Sequence, residues 1–236
     1  MGDGDWRVNL LGGFTLTERG RAVSLTMASS RLLAYLAVQG RPVRSSAFAS
    51  ALWPRVDGHR AVANLRAAVW RLPDRCHRLV VRSGPEVSLA PGTTSDVADL
   101  ERHVERILAG TAGAADLDVR PLLGDLLPTW YDDWVLVERE RHVQRRVRAL
   151  ERLAALLGTA GRYGEAIEAA MAAVAAEPLR DTARRRLIAL HRAEGNAGEA
   201  RRQSELYAAL LRDQLGIEPP PGWWDHLDRD SDVTHL

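Results

Sequence analysis

The stretch "HRAVANLRAAVWRLPDRC", His59 to Cys76, decides how this chain is read. At 100° per residue, Ala61, Val62, Leu65, Ala68, Val69 and Leu72 fall on one face of a helix that stops at Pro73. That face must meet a core. Arg60, Ala63, Asn64, Ala67 and Arg71 point the other way, and Arg66 and Trp70 lie on a flank. Ala63 and Ala67 are one turn apart, so the outer surface is low at its centre and ringed by donors. A helix that reads a DNA groove needs this shape. Its backbone must approach closely, while arginine reaches guanine edges or phosphates and asparagine reaches adenine edges. Alone, the stretch also fits an ordinary surface helix with arginine and alanine as filler. Trp70 is expected to pack on a neighbouring wing or loop, with base contact as the alternative.

The neighbours favour the groove reading. "WRVNLLGGFTLTERGRAVSL" alternates, with Val8, Leu10, Gly12, Phe14 and Leu16 on one side, and predicts a small antiparallel sheet. "TMASSRLLAYLAVQG" carries a helical stripe at Leu32, Leu33, Leu36 and Ala37 and stops at Gly40. A second helix begins near Ser45 or Ser46, both good N-caps, and ends at Pro54, with Phe48 and Leu52 inward. A short polar loop containing Gly58 leads into the opening stretch. "RLVVRSGPEVSLAPG" reads as a hairpin about Gly84-Pro85. Sheet, three helices and hairpin outline a winged helix-turn-helix, whose third helix enters the major groove. In that outline Arg82 and Ser83 at the wing tip are candidate phosphate or minor-groove contacts. Ser45 and Ser46 are caps first and phosphate contacts second.

Charge divides along the chain. Residues 1–95 hold 13 arginines and 6 acids, whereas residues 96–236 hold 19 arginines and 25 acids. A basic front and an acidic back point to two domains with different partners, the front one a nucleic-acid candidate. There is no lysine, so arginine abundance also reflects composition bias. No signal peptide and no membrane-spanning segment of roughly 18 apolar residues is expected. The single cysteine, Cys76, permits no internal disulfide and suits a reducing compartment; inert packing is its expected role.

Beyond a junction near "APGTTSD" (90–96), helical periodicity takes over. "DVADLERHVERILA" sets Val97, Leu100, Val104, Ile107 and Leu108 on one side. A long helix, Val135 to Leu157, carries Val143, Val147, Leu150 and Leu153 at helical spacing. "GRYGEA" at 161–166 returns as "GNAGEA" at 195–200, a 34-residue period that matches the tetratricopeptide helix-turn-helix unit. Ala166, Ala169, Ala170 and Ala200 supply the small contact residues. Pro178 is placed after the second helix of the first unit, and Pro219 after that of the next. The expected fold is therefore mainly α: a winged helix-turn-helix with a small sheet at 6–92, then an all-α tetratricopeptide-like domain at 96–224. The tail, 225–236, is expected to be flexible.

Other constellations carry less. In "WYDDW" (130–134) the acids suit the dipole at a helix start and the aromatics suit packing. A glycosidase-type carboxylate pair would need a second wall that the sequence does not supply. The seven histidines show no metal-ligand spacing. "PPPGWW" (219–224) is expected to dock on the last helices, with a partner site as the alternative. No cofactor, metal or enzymatic activity is expected.

Several quoted motifs resemble a known family. "LLGGFTL", "RLLAYLAVQGRPV", "ALWP" and "ANLRAAVWRL" are similar to the winged-helix domain of the Streptomyces antibiotic regulatory proteins. "LLPTWYDDWVLVERER", "GRYGEAIEAA", "AVAAEPLRDTARRRLIALHRAEGN" and "LLRDQLGIEP" resemble that family's bacterial transcriptional activator domain. The resemblance spans about residues 6–220. It implies a cytoplasmic, nucleoid-associated activator that binds double-stranded DNA at direct repeats, recruits RNA polymerase, often at secondary-metabolism promoters, and forms a homodimer through its helical domain. Arg60, Asn64, Arg66, Ala67, Trp70 and Arg71 take the recognition-helix positions. Pro73 departs from the pattern, since relatives often continue the helix with further arginines. No Walker-type or receiver motif is recognisable. The rival reading is a tetratricopeptide-type interaction adaptor with a vestigial DNA-binding domain.

Overall fold

The computed structural model describes residues 5–113 and 116–218. They form two compact units. The first comprises residues up to His103 together with Gly124–His142; the second comprises Val104–Leu123 and the chain from Val143 onward. A later stretch, Gly124–His142, thus returns to the first unit.

The first unit opens with strands β1 (Trp6–Asn9), β2 (Thr15–Glu18) and β3 (Arg21–Ala22). The alternation expected to run unbroken from Val8 to Leu16 is two strands. The chain reverses at Gly12 and Gly13, whose φ values are +80° and +150°, and Val8 pairs directly with Leu16. Both are buried, so the inward assignment holds for them while Gly12 is exposed. Helix α1 (Met27–Gln39) starts where the Thr26 hydroxyl accepts the Ser29 N–H at 3.3 Å, and it ends at Gly40 with φ +60°. Leu32, Leu33, Leu36 and Ala37 are all buried, as their spacing predicts.

Strand β4 (Val43–Arg44) leads straight into α2 (Ser45–Leu52). Neither serine caps this helix: Arg44 holds the N-cap position, with no side-chain cap bond. Ser45 is already helical, and its N–H donates to the Pro85 carbonyl at 2.8 Å. The strand, not a capping hydroxyl, positions the helix start. Phe48 is fully buried and stacks on Tyr35, centroids 4.9 Å apart. Helix α3 (Gly58–Trp70) begins one residue earlier than expected. The Asp57 carboxylate accepts the Arg60 N–H at 3.0 Å, a cap hidden in what read as a polar loop. It also ends earlier, with Arg71 at the C-cap, because the residue before proline avoids helical geometry. Strands β5 (Val80–Ser83) and β6 (Glu86–Leu89) pair antiparallel, and β4 joins them in the order β4-β6-β5.

The expected junction at 90–96 contains a further strand, β7 (Thr94–Ser95), which pairs parallel with β1. The larger sheet therefore has the order β3-β2-β1-β7. Helix α4 (Asp96–Leu108) follows, and the Asp96 carboxylate accepts the Leu10 and Leu11 N–H groups at 2.9 Å. Val97, Leu100, Val104 and Ile107 are buried; Leu108, expected beside them, is 42% exposed. Gly124–His142 rejoins the first unit through backbone. Leu127 N–H donates to the Leu10 carbonyl, and Gly12 N–H to the Asp125 carbonyl. Trp130 stacks on Phe14, and Trp134 meets Tyr35 edge-on at 5.1 Å. The aromatics of "WYDDW" thus pack as expected, apart from Tyr131, which is 78% exposed. Asp133 opens helix α5 (Asp133–Thr159), whereas Asp132 pairs with Arg31 of α1.

The second unit holds the rest of α5, then α6 (Tyr163–Ala176), α7 (Asp181–Ala193) and α8 (Ala197–Leu215). The 34-residue period is exact in the backbone. Arg162 N–H donates to the Leu157 carbonyl at 2.9 Å, and Asn196 N–H to the His191 carbonyl at 2.8 Å. Gly161 and Gly195 both hold positive φ, +72° and +90°, so each helix closes in a left-handed residue that glycine adopts without a Cβ clash. Ala166, Ala169, Ala170 and Ala200 are buried, which lets the helices approach closely. The repeated turns fall between α5 and α6 and between α7 and α8, so Pro178 follows α6, the second helix of the first unit, as expected. Pro219, the "PPPGWW" segment and the tail lie outside the described residues. The architecture is a winged helix-turn-helix with small sheets and an all-α repeat unit, the expected fold class.

Candidate nucleic-acid interface

Helix α3 has one buried side and one bare side. Ala61 and Leu65 are fully buried and Ala68 is 3% exposed, so this face fastens the helix to α1 and α2. Arg60, Ala63, Asn64, Arg66, Trp70 and Arg71 are exposed, and Ala67 is half-buried at the centre. The low middle and tall rim expected from the wheel are both present.

Electrostatics separates these arginines from others in the first 95 residues. Arg75 and Arg78 approach Glu18 at 3.8 and 2.7 Å, Arg7 meets Asp99 at 2.8 Å, and Arg31 pairs with Asp132. These cations are spent on the fold. Among the described residues Arg60, Arg66, Arg71 and Arg82 make no ion pair, and all four are exposed. Arg44 and Arg55, which flank α2, share that condition and were not singled out from the sequence. Their signal was present, a basic residue on either side of the second helix, but the chain is arginine-rich throughout. Positive charge held in solvent without a carboxylate is what a polyanion displaces counterions to reach.

The wing is a tight two-residue hairpin. Ser83 pairs with Glu86 across Gly84-Pro85, and Gly84 has φ +58°. Proline cannot take positive φ, so this is a type II′ turn, with glycine at its first central position. Arg82 and Ser83 are exposed at this tip. Arg44 stands opposite Glu86 in the strand register, and the Ser45 N–H is bonded to the Pro85 carbonyl, so the start of α2 and the wing tip are brought together. Ser46 is exposed in the first turn of α2, and Ser45 is half-buried.

Trp70 does not pack on the wing or a loop. It is 79% exposed, and the ring of His77 contacts only its backbone carbonyl, at 3.2 Å. Burial therefore does not explain a tryptophan here. Trp70→Ala is expected to change folding stability by no more than about 0.5 kcal/mol. It should nonetheless weaken DNA retention measurably; chemical denaturation beside DNA titration checks both, and a large stability loss would contradict the exposure.

Other chemistry is thin. Cys76 is fully buried, and burial pushes its thiol pKa up, against the thiolate a nucleophile needs. Among the described residues no group of three His, Cys, Asp or Glu side chains is placed to hold a metal ion. No described helix is long and apolar enough to cross a membrane.

Comparison with known proteins places this arrangement in a family. Residues 94–223 match the model of the bacterial transcriptional activator domain, more than half of the chain. The chain belongs to that family. A winged helix-turn-helix followed by a bacterial transcriptional activator domain is the arrangement expected from the motif resemblance. The fold is also that of a solved structure, Mycobacterium tuberculosis EmbR in complex with a low affinity phosphopeptide. The TM-score is 0.73 at 24% identity, covering 97% of this chain and 66% of that one. The chain thus spans just under two thirds of that relative's length. No curated protein matches. Membership shows that residues 94–223 form a bacterial transcriptional activator domain, and leaves any contact with DNA to the chemistry of α3 and the wing.

Proposed function

We propose that this chain is a sequence-specific DNA-binding transcriptional activator that docks α3 in the major groove. The observation that carries the reading is the set of unpaired, exposed guanidinium groups of Arg60, Arg66 and Arg71 around the low surface of Ala63 and Ala67. Asn64, on the same face, reads an adenine edge, and the arginines take guanine edges and phosphates. Trp70 makes an apolar contact on the flank. Arg82 and Ser83 take phosphate or the minor groove beside the wing. Ser45 and Ser46, in the first turn of α2, offer hydroxyl groups to a phosphate. The acidic helical unit holds a second protomer or RNA polymerase, and direct repeats at secondary-metabolism promoters fit such a dimer. The protein acts in the cytoplasm, on the nucleoid.

Selection of bound genomic fragments, followed by titration of the recovered site at rising salt, tests this. The expected result is a preferred sequence and an affinity that falls linearly on logarithmic axes, by roughly 0.9 per neutralised phosphate. The adaptor reading, in which the helical repeats bind a partner and the winged helix is vestigial, predicts no specific DNA retention near physiological salt.

A further inference from the structure

Pro73 stops α3, so the chain offers no further helical arginines to the DNA. It turns instead into a short 3-10 helix, Asp74–Leu79, anchored by buried Cys76 and Leu79. Arg75 and Arg78 of this segment both reach Glu18 on β2, and Arg78 also lies over the Trp6 ring, 5.6 Å from its centroid. The segment is thereby held against the β2–β3 hairpin. Between them is a depression of about 480 Å³ lined by Glu18, Arg19, Arg21, Ala22, Val23 and Arg75. Three guanidinium groups share it with one carboxylate, which is engaged by one of them, Arg75, and by Arg78 from outside. Arg19 and Arg21 are exposed and make no ion pair among the described residues.

The hairpin itself argues that Arg19 is not there for the fold. Glu18 stands opposite Arg21 in the strand register, so the loop is Arg19-Gly20, with φ +50° and +76°. Two positive φ values make a type I′ turn, for which asparagine or glycine is the favoured first residue. A long cationic side chain gains nothing locally from that conformation. A strained residue that presents charge to a basic depression points to function outside the turn.

We propose that Arg19 and Arg21, beside the Glu18-paired Arg75, form a second anion site that takes a phosphate of the DNA backbone, outside the groove contacts of α3. This rests on the DNA-binding reading. The site carries no base information, because guanidinium-to-phosphate contacts fix position and orientation only. It supplies, from the sheet, the backbone contact that the helix cut short at Pro73 does not.

The test uses the full chain with Arg19→Asn and Arg21→Gln together. Asparagine suits the I′ turn, so the thermal midpoint is expected to hold or rise. The slope of log affinity against log salt is expected to fall by roughly 0.9 per phosphate lost, with weakening uniform across site sequences. An unchanged slope overturns the proposal. In a second arm, inorganic phosphate is titrated by following arginine side-chain NMR signals. Loss of saturable phosphate binding in the variant with an unchanged DNA slope would make this a free-phosphate site and overturn the backbone assignment. Wild-type protein that retains no DNA would instead overturn the underlying function, a result distinguishable from both.

Discussion

Replacing Arg60 and Arg71 together with alanine is expected to lower the salt slope of promoter binding by roughly 0.9 for each arginine that neutralises a phosphate. If either makes a bidentate contact to a guanine, its loss costs about 1–3 kcal/mol, and discrimination at that base pair relaxes. The effect should fall on binding alone. Among the described residues neither side chain is buried or ion-paired, so the unfolding free energy should stay within about 0.5 kcal/mol of wild type. The Arg60 backbone N–H still meets Asp57 after the substitution, which keeps the cap. Filter binding or fluorescence anisotropy across a salt series measures the slope. An unchanged slope and affinity would refute α3 as the reading head.

Phe48→Ala tests the platform beneath that head. The ring is fully buried on α2, stacked on Tyr35 of α1, which in turn meets Trp134. Deletion removes the transfer free energy of the ring and leaves a cavity that packed neighbours fill only in part, a loss of about 3–5 kcal/mol. That is a large share of the stability of any single domain. A guanidinium titration should show the first unit unfolding early, with DNA binding lost at the same denaturant concentration. A loss below about 1 kcal/mol would mean that this ring is not the packing centre the structure describes.

The features legible from sequence are those whose cause is local. The α1 stripe, the buried face of α3 and the Gly84-Pro85 hairpin each depend on residues within a few positions of one another, so periodicity and turn chemistry find them. The 34-residue echo was legible for a related reason. The same glycine does the same work twice, closing α5 at Gly161 and α7 at Gly195. Errors arose where a distant partner decides. Ser45 has the chemistry of a cap, but its N–H is taken by Pro85 across the wing. Residues 90–96 have the composition of a linker, yet β7 pairs with β1, more than eighty residues earlier. Nothing in the local pattern of "DLLPTWYDDW" (125–134) announces that its backbone bonds to Leu10 and Gly12.

The candidate site divides in the same way. The sequence by itself determined which α3 residues face outward, because the helical repeat and the demand to bury Ala61, Leu65 and Ala68 leave only one orientation. Which arginines remain available was decided by tertiary structure alone. Arg60 and Arg75 are equally charged and lie on either side of Pro73, but Glu18 comes from β2 to meet Arg75 and not Arg60. Ion pairing depends on distance through the folded molecule, not along the chain, so charge counts show how much positive charge exists and only packing shows how much is left for a partner.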